Sequence, residues 1–491
     1  MAYAADALPL YRRLKNTPGA SCLFESASTV DKSSRMSLIG LEPSLELTGK
    51  DDQLVVRLLH NRAGKFYEFI KTAFAGTITN EQNGRLELRL PKQQFEGPED
   101  GRFDRPNIAQ PLRRLLASFR TNEKNFTGFY GAFSYRFVYL FEDIDFGDKP
   151  CAEPDFHLFL FDNILLFNHL TQDLTLYVTR DSKDAAEKDA AAIVLRAVSA
   201  AVPEHMPFEA GEVSTTPDDA TFLRQVGHGV QLCNEGELLE IVLSRQLSTP
   251  VKGDALNLYA RYRAVNPSPY LFFFDFSNET LLGASPELML RYEGGRATLR
   301  PISGSVRRSS NPIEDHQLMM ELLNSPKENS ELDMLIDLGR NDLARICKPG
   351  IEIEHYRIVE KYSHVTHTVA QLSGVPEERY SGFDALIASL NAGTLTGAPK
   401  VAAMNQIEQI ERHTRGYYGG CIGWLLLDGD VNTAITIRSA HIRDNVMTYS
   451  TGATLLYESV PENELRETQV KAAAFLTALK SFQPTKAVMT Q

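Results

Sequence analysis

The sequence has few cysteines, and their arrangement indicates neither disulfide pairing nor a zinc site. The five are Cys22, Cys151, Cys233, Cys347 and Cys421, far apart and without a CxxC pair. Their odd number and scatter favour free thiols in a reducing cytosol. No apolar run approaches the ~20 residues that span a bilayer, and the first residues lack the basic-then-apolar order of a secretory signal. We therefore expect a cytoplasmic protein that does not enter a membrane.

An excess of basic charge is also absent. The chain has 51 Lys and Arg against 63 Asp and Glu, a net charge of −12, with both signs mixed along its length. Because nucleic-acid binding needs a basic face, this balance argues against a nucleic-acid partner. What remains is an ordinary globular composition, 43% hydrophobic and 23% charged, over 491 residues. That length allows a large buried core and more than one domain.

The patterning of the chain indicates two regions. The N-terminal region mixes short β-type runs with polar loops and ends in an Ala-rich segment at 182–202 that predicts a helix. A polar, Pro-punctuated stretch at 203–220 predicts a connection. Strand-like and helical patterns then alternate up to a closing helix that begins at "PENEL". We predict an N-terminal domain over 1–205 and a second domain over 220–482, without internal repeats.

Three segments carry specific predictions of strands and turns. The run "FHLFLFDNILLFNHLTQDLTLYVTR" (156–180) predicts two paired strands around a polar turn, and "YEGGRA" predicts a Gly-Gly turn between two strands. The run "VNTAITIRSAHIR" (431–443) predicts a single strand with Arg438 inside it. An arginine in such an apolar strand needs a buried anionic partner or an exposed sheet face.

Two pairs of glutamates stand near predicted helix starts. In "SPKENSELDML", Ser325 and Pro326 suit the start of a helix, and Glu328 then occupies the position of a capping box. Considered alone, Glu328 is therefore expected to cap the helix. The acid three residues later, Glu331, is then expected to lie on an exposed helix face. The segment "PENELRET" has the same spacing of two acids after a proline. Residues three apart share a helix face, so two such pairs across a cleft offer carboxylates to a hard cation such as Mg²⁺.

Several further segments suit the binding of an anion. "GTLTGAPK" (393–400) offers hydroxyls and backbone N–H groups before a helix, although a plain helix cap explains it equally well. "GYYGG" (416–420) and "STGAT" (450–454) allow the backbone to approach a ligand closely. Glu287 follows a proline at a strand end, and His367 by itself is an ordinary histidine. Taken singly, these features indicate an anionic ligand and a metal.

Taken together and in order, the segments resemble the chorismate-utilising enzymes, and among them the large subunits of anthranilate synthases. The matching segments are "VLSR", "GASPE", "PISGS", "KENSELDMLIDLGRNDLARI", "YSHVTH", "GTLTGAPK", "YYGGCIG", "AITIRSA" and "ENELRET". They cover 220–480, and "LFESAS" and "SLIGLEP" extend the resemblance to the N-terminal region. The resemblance implies an α/β (α+β) fold of sandwiched antiparallel sheets flanked by helices, with the active site in a cleft.

The resemblance also implies an activity and its residues: chorismate and ammonia become anthranilate and pyruvate. The implied Mg²⁺ ligands are Glu328, Glu331, Glu464 and Glu467. The implied catalytic residues are Glu287, which protonates the leaving hydroxyl, His367, which serves the later elimination, and Thr394. The implied substrate-binding residues are Tyr418, Arg438, Gly452, Ala453 and Ser305. The chemistry suits these types, because chorismate is a dianion and hydroxide is a poor leaving group.

Some positions depart from the family pattern. Water-adding members have a lysine, and amine-adding members a glutamine, where this chain has Glu240. Ser303 stands where aminodeoxychorismate-forming members have a nucleophilic lysine, and it resembles relatives that stop at 2-amino-2-deoxyisochorismate. Ser305 replaces a usual threonine. The alternatives are therefore a synthase of that amino intermediate or a regulatory protein on an inactive scaffold; His367 favours complete anthranilate formation.

The resemblance implies two further ligands or partners. The chain contains no glutaminase segment with a cysteine nucleophile and its histidine, so ammonia is expected from solution or from a separate glutamine amidotransferase subunit. "LFES" and "NPSPY" resemble the two walls of a feedback site for tryptophan. Glu25, Ser26 and Tyr270 are the residues expected nearest to that inhibitor, and plain strand and turn packing is the alternative.

Overall fold

The computed structural model describes residues 6–15, 19–26, 36–93, 105–147, 149–199, 206–361 and 365–483. In these ranges the α-helices are α1 (Leu8–Leu14), α2 (Gly64–Ala73), α3 (Gln110–Ser118), α4 (Lys183–Ser199), α5 (Asp219–Asn234), α6 (Ala255–Val265), α7 (Pro312–Asn324), α8 (Pro326–Ala344), α9 (Gly382–Ser389), α10 (Lys400–Ile410) and α11 (Pro461–Lys480). Within the same ranges, none of them combines the length and apolarity that crossing a membrane requires.

The strands of the N-terminal region are β1 (Ser21–Glu25), β2 (Met36–Leu41), β3 (Leu45–Lys50), β4 (Gln53–Leu58), β5 (Ile78–Gln82), β6 (Arg85–Arg89), β7 (Gly128–Phe133), β8 (Phe156–Phe161), β9 (Asn163–Asn168) and β10 (Asp173–Val178). The following strands are β11 (Glu209–Ala210), β12 (Ser214–Thr216), β13 (Glu240–Lys252), β14 (Tyr270–Asp275), β15 (Glu279–Ser285), β16 (Leu288–Glu293), β17 (Arg296–Arg300), β18 (Ile302–Arg307), β19 (Glu352–Lys361), β20 (Val365–Gly374), β21 (Gly397–Ala398), β22 (Cys421–Leu426), β23 (Val431–Ile435), β24 (Ser439–Arg443) and β25 (Val446–Leu455).

The strands form two large antiparallel sheets. Sheet I has the order β10-β9-β2-β1-β14-β15-β24-β25-β13-β11, with β12 and β21 also paired to β13. Sheet II has the order β18-β20-β17-β16-β23-β22-β7-β8-β3-β4-β6-β5, with β19 paired to β20. Each sheet combines strands from before and after the predicted connection at 203–220, so the two regions are interleaved through their backbone hydrogen bonds. The division into two domains stays a prediction.

The two sheets face each other across an aromatic layer. Phe24 of β1 and Phe274 of β14 come from sheet I, and Phe159 of β8 and Tyr130 of β7 come from sheet II; all four are buried in one cluster. Burying an aromatic side chain of this kind stabilises the fold by about 2–3 kcal/mol. Helices cover the outer faces: α1, α4, α6 and α11 contribute to a core beside sheet I, and α2, α3, α8 and α9 to one beside sheet II.

The prediction of two paired strands over 156–180 is wrong in number. The segment forms three strands, of which β8 belongs to sheet II, whereas β9 and β10 pair in sheet I. The chain changes sheets at Asp162, whose carboxylate accepts from Arg62 at 2.9 Å. β8 and β9 are buried almost throughout, so their sequences lack the alternation that distinguishes two faces. A continuous apolar pattern therefore conceals the change of sheet.

The single strand predicted over 431–443 is also wrong. β23 lies in sheet II and β24 in sheet I, and Arg438 stands between them with a left-handed φ of +50°. That backbone conformation ends one strand and redirects the chain. Arg438 is consequently at the crossing between the sheets rather than inside a strand.

Other predictions of local structure are confirmed. The Ala-rich helix is α4, and the closing helix is α11. β16 and β17 pair around Gly294 and Gly295, whose φ angles of +59° and +80° suit a two-residue hairpin turn. These features depend on neighbours in the sequence, which is why local patterns suffice to find them.

Candidate active site

The start of α8 forms only half of the predicted capping box. The Ser325 hydroxyl accepts from the Glu328 backbone N–H at 3.3 Å, but the Ser325 N–H donates to the Leu322 carbonyl at 3.3 Å. The Glu328 carboxylate lies instead against β18, where Oε2 would be 2.6 Å from a Cβ placed on Gly304. Gly304 has a φ of +66°, so glycine is favoured there twice over, by conformation and by space. The cap orients the helix and leaves the Glu328 side chain free of it.

The glutamates predicted as metal ligands lie at the starts of α8 and α11 and act on one another electrostatically. Burial and repulsion from Glu328 raise the pKa of Glu331 to about 7. Burial and repulsion from Glu467 also raise the pKa values of Glu328 and Glu464. Among the described residues, no three acidic, histidine or cysteine side chains are close enough together to hold an ion. The carboxylates thus share one electrostatic environment without forming a closed coordination set.

Glu287 and Thr394 are joined directly. Glu287 lies in the turn between β15 and β16 and is 6% exposed, and the Thr394 hydroxyl donates to its Oε1 at 3.1 Å. Burial raises the pKa of Glu287 to about 8, against the opposing effects of Thr394 and of the Lys471 charge. Its carboxyl group therefore retains a proton at neutral pH, as a general acid requires.

His367 is placed on β20, opposite Ser305 of β18. Its Nδ1 lies 3.0 Å from the Gly304 carbonyl oxygen, which only accepts, so we assign the proton of the neutral ring to Nδ1. Burial, together with the Arg438 and Lys471 charges, lowers the pKa of His367 to about 4. At neutral pH, Nε2 consequently has a lone pair and is able to accept a proton.

Tyr418 and Arg438 lie beside the same region. Tyr418 is buried, and its hydroxyl oxygen would be 2.7 Å from a Cβ placed on Gly452 of β25. Nη1 of Arg438 donates to the Lys471 carbonyl at 3.0 Å. Because that bond uses one of five guanidinium N–H groups, Arg438 keeps donors for a carboxylate.

Lys471 of α11 is a site residue that the sequence analysis missed. Its ammonium group donates to the Gly452 carbonyl at 2.9 Å and lies 2.6 Å from Oε1 of Glu467. The Lys471 charge also acts on the ionisation of Glu287, His367 and Glu331. The spacing carried the signal, because positions 464, 467 and 471 recur at the i, i+3, i+7 interval of one helix face.

The remaining predicted residues have distinct positions. The Ala453 methyl is fully buried in an apolar cluster with Leu243, so only its backbone is available to a ligand. The backbone of Ser305 lies in β18, paired with β20. Glu240 begins β13 with 1% exposure, and its Oε2 has no hydrogen-bond partner among the described residues. Burial and repulsion from Glu331 raise the pKa of Glu240 to about 8, which adds a further carboxyl group near the metal candidates.

The three residues predicted to bind the inhibitor tryptophan lie in sheet I and near α6. The Glu25 carboxylate accepts from Arg263 at 2.7 Å and from the Tyr259 hydroxyl at 2.7 Å. Oγ of Ser26 is buried and has no partner in the described part of the chain. Tyr270 begins β14, the strand next to β1, and it pairs with Ser285. Glu25 pairs with Leu271, the neighbour of Tyr270, so the three residues lie near one another, and Ser285, opposite Tyr270, precedes Glu287 by two residues.

Two cavities lie beside α8. A groove of about 790 Å³ is lined by Leu239, Leu338, Arg340 and Lys348 and contains none of the predicted substrate residues. A cavity of about 40 Å³ reaches Glu287 and Thr394 and shares Leu338 with the groove. Glu287 and Thr394 thus line the smaller cavity and not the larger groove.

Comparison with known proteins identifies the family. A family model described as chorismate binding enzyme matches residues 59–477. Anthranilate synthase component 1 of Acetivibrio thermocellus is 30% identical, over 96% of this chain and 92% of its own length. Anthranilate synthase component 1 of Neisseria gonorrhoeae (strain ATCC 700825 / FA 1090) is 33% identical, over 97% of this chain and 93% of its own length.

The fold agrees as well. The crystal structure of anthranilate synthase component I from Streptococcus pneumoniae TIGR4 superimposes with a TM-score of 0.72 at 26% identity, covering 90% of this chain and 92% of that chain. The expected sandwich of antiparallel sheets flanked by helices is confirmed. The family model matches most of this chain, and relatives of 30% identity or more cover nearly all of it. The chain therefore belongs to the family of chorismate binding enzymes.

Proposed function

We propose that the chain is the large subunit of an anthranilate synthase, which converts chorismate and ammonia to anthranilate and pyruvate. The observation that carries the proposal is Glu287, a buried carboxyl group with a pKa raised to about 8 and held by Thr394. A leaving hydroxide needs a proton at neutral pH, and Glu287 supplies one. Relatives named anthranilate synthase component 1 that cover nearly the whole chain support the same reading.

Chorismate is a dianion, and the site contains several hydrogen-bond donors for its carboxylates. Arg438 and the Tyr418 hydroxyl are assigned to its carboxylates, with backbone groups at Gly452 and Ser305. Donors fixed by the protein before binding stabilise the charge and orient the ring without reorganisation. Ammonia then adds at the ring carbon beside the one that bears the carboxylate, and the hydroxyl leaves as water with the proton from Glu287.

The second half of the reaction is assigned to His367. Its neutral ring has the proton on Nδ1, held by the Gly304 carbonyl, and a lone pair on Nε2 that accepts the proton lost by the ring carbon. As that proton leaves, the bond to the enolpyruvyl oxygen breaks, pyruvate departs and the ring becomes aromatic. The pKa of about 4 keeps this base unprotonated at neutral pH.

Mg²⁺ is the proposed cofactor, and the residues present suit it. Glu328, Glu331, Glu464 and Glu467 offer the hard oxygen ligands that Mg²⁺ prefers. Burial first, and repulsion between the acids second, raise the pKa values at three of these positions, and a divalent cation would relieve that repulsion. When bound, the ion neutralises the ring carboxylate of chorismate. The protein's own part is to hold four carboxylates at the starts of two helices, α8 and α11.

Ammonia is proposed to come from a separate glutaminase subunit. The relatives described above are each named component 1, a name that supports a second component. Tryptophan is proposed as a feedback inhibitor at Glu25, Ser26 and Tyr270. The pairing of Tyr270 with Ser285, two residues before Glu287, supports a short mechanical link from these residues to the acid. Activity unchanged by millimolar tryptophan would rule this regulation out.

One incubation tests the proposal. Purified protein with chorismate, Mg²⁺ and ammonium should form fluorescent anthranilate together with pyruvate. An amino product that retains the enolpyruvyl group assigns the chain instead to 2-amino-2-deoxyisochorismate synthesis, the alternative that Ser303 and Ser305 favour. Unchanged chorismate at every Mg²⁺ concentration, in a protein that does not bind the ion, would leave a regulatory role on an inactive scaffold.

A further inference from the structure

A buried ion pair between Glu411 and Arg415 lies behind the site, and the proposed reaction does not use it. The Arg415 side chain is 1% exposed and the Glu411 side chain 2%. The contact is bidentate: Nε of Arg415 donates to Oε2 of Glu411 at 2.9 Å, and Nη2 donates to Oε1 at 2.7 Å. Burial favours the neutral forms, but the mutual attraction outweighs it, so the pKa of Glu411 is lowered and that of Arg415 is raised. Both residues are therefore charged in the folded protein.

The other donors of Arg415 reach two distant segments of backbone. Nη1 donates to the Leu395 carbonyl at 2.6 Å, and Nη2 donates to the Val242 carbonyl at 2.7 Å. Leu395 is the neighbour of Thr394, and Val242 lies near the start of β13. The Val242 N–H donates in turn to the Thr396 carbonyl at 3.0 Å. Val242 therefore joins β13 to the turn of Thr394 both directly, through its N–H, and by way of Arg415, through its carbonyl.

Arg415 also holds Tyr418. Its own carbonyl accepts from the Tyr418 N–H at 3.0 Å, and its guanidinium lies 5.8 Å from the centre of the Tyr418 ring and 4.7 Å from that of Tyr135. Glu411 extends the same assembly, because Oε1 accepts from the Ser244 N–H at 2.7 Å and from the Ser244 hydroxyl at 2.9 Å. Ser244 pairs directly with Gly452 across the sheet.

We propose that the Glu411–Arg415 pair is the device that positions Thr394 and Tyr418 for catalysis, and that Arg415 is a positioning residue of the active site. The inference rests on the proposed function for the roles of Thr394 and Tyr418. Three separate parts of the chain, the turn before β21, the turn before β22 and strand β13, meet at one guanidinium group. An arginine suits this place because its planar group donates in several fixed directions at once, which a lysine ammonium does not reproduce.

Stability alone is a weak reason for such a pair. Buried ion pairs contribute little net stability relative to apolar side chains of the same size, since desolvating both charges offsets their attraction. Their directional bonds do fix the backbone segments that they join. Here those segments adjoin Thr394, which bonds Glu287, and Tyr418, which is assigned to the substrate. Displacement of the pair is therefore expected to change catalysis before it changes the fold.

The test compares Arg415→Lys with a matched control, Arg180→Lys. Arg180 is also a buried arginine, 5% exposed and paired to Asp189, with further bonds to Asn163 and to the Thr179 carbonyl, but it lies in the N-terminal region. Because small misplacements of catalytic groups are worth up to ~100-fold in rate, kcat/KM should fall at least about 10-fold in Arg415→Lys. It should stay within about twofold in Arg180→Lys.

The pH profile separates positioning from general destabilisation. The hydrogen bond from Thr394 lowers the pKa of Glu287, so losing it should move the alkaline limb of kcat/KM to higher pH. Arg415→Lys and Thr394→Val should show the same displacement, and the combined variant no more than either. The other groups that act on Glu287 are Lys471 of α11 and the Ile302 N–H of β18, which the variants leave in place. If the alkaline limb of the kcat/KM profile lies at the same pH in Arg415→Lys as in the wild type, the inference is overturned.

A second variant tests the inference if Arg415→Lys does not fold, and a second readout tests it if the protein does not turn over the substrate. Ser244→Ala removes one bond to Glu411 and should reduce kcat/KM in the same direction, to a smaller degree, even where Arg415→Lys fails to fold. Hydrogen exchange at 393–398 and 416–420 should accelerate in Arg415→Lys and not in Arg180→Lys, whatever the substrate. Wild-type protein that leaves chorismate unchanged overturns the proposed function; unaltered exchange, or turnover equal to that of Arg180→Lys, overturns the inference alone.

Discussion

Glu287→Gln removes the proton that the proposed reaction needs while it keeps the shape of the side chain. The amide oxygen still accepts from Thr394, which donates to Oε1 at 3.1 Å in the wild type. A glutamine has no acidic proton to give to the leaving hydroxyl, so anthranilate formation should be lost. General acid catalysis typically contributes about 10²–10⁴-fold in rate, which sets the expected size of the loss.

The same substitution should stabilise the protein, and the structure gives the magnitude. An exposed glutamate has a pKa of 4.5, and burial raises that of Glu287 to about 8. Between these values the folded protein keeps a proton that the unfolded chain has released, so stability is complete below pH 4.5 and falls as pH rises towards 8. At pH 7, about 2.5 pH units above the unfolded pKa, the penalty is about 3 kcal/mol. Glutamine does not titrate and avoids it.

Chemical denaturation at several pH values measures this gain. The advantage of Glu287→Gln over the wild type should be about 3 kcal/mol at pH 7 and less than about 1 kcal/mol at pH 5, with turnover absent at both. A gain that does not depend on pH would show that Glu287 is not held protonated in the fold. Near-normal turnover in the variant would refute its role as the acid.

Three further substitutions test other parts of the site. His367→Met should accumulate the amino intermediate, because no base remains to take the ring proton; mass analysis and fluorescence measure this, and undiminished anthranilate refutes it. Gly452→Ala should raise KM for chorismate several-fold, since its Cβ would lie 2.7 Å from the Tyr418 oxygen and 3.1 Å from a backbone carbonyl. Gly227→Ala in α5 is the control: it meets nothing within 4 Å, should stabilise the helix by up to about 1 kcal/mol, and should leave KM unchanged. Lys471→Met should tighten Mg²⁺ binding in calorimetry without substrate, because it removes a cation 2.6 Å from Glu467; weaker or equal binding contradicts the assignment.

Much of the candidate site follows from local spacing. The two glutamate pairs can be found because residues three apart share a helix face, and Lys471 belongs to the same series on α11. The turn at Gly294 and Gly295 follows from two residues that tolerate positive φ. The ordered motifs also sufficed to indicate the family, which the comparisons confirmed.

Other features depend on residues that are distant in sequence. In the sequence Glu287 is simply a glutamate after a proline. Only its burial in the folded protein, which outweighs the opposing hydrogen bond from Thr394, keeps it protonated at neutral pH. Glu328 reads as a cap, and only the approach of β18 shows its side chain against Gly304. Glu411 and Arg415 look like an ordinary pair four residues apart, yet the bonds to Leu395 and Val242 that give the pair its importance join three separate segments.

The sequence by itself indicated helices such as α4 and α11, the Gly-Gly hairpin, the residue types of the candidate site and the family, because propensity, spacing and motif order are local properties of the chain. Tertiary structure decided which sheet each buried strand joined, how Arg438 came to stand at the crossing between sheets, and which acids keep their protons. Those outcomes depend on desolvation and on contacts between remote segments, and neither quantity exists until the chain has folded.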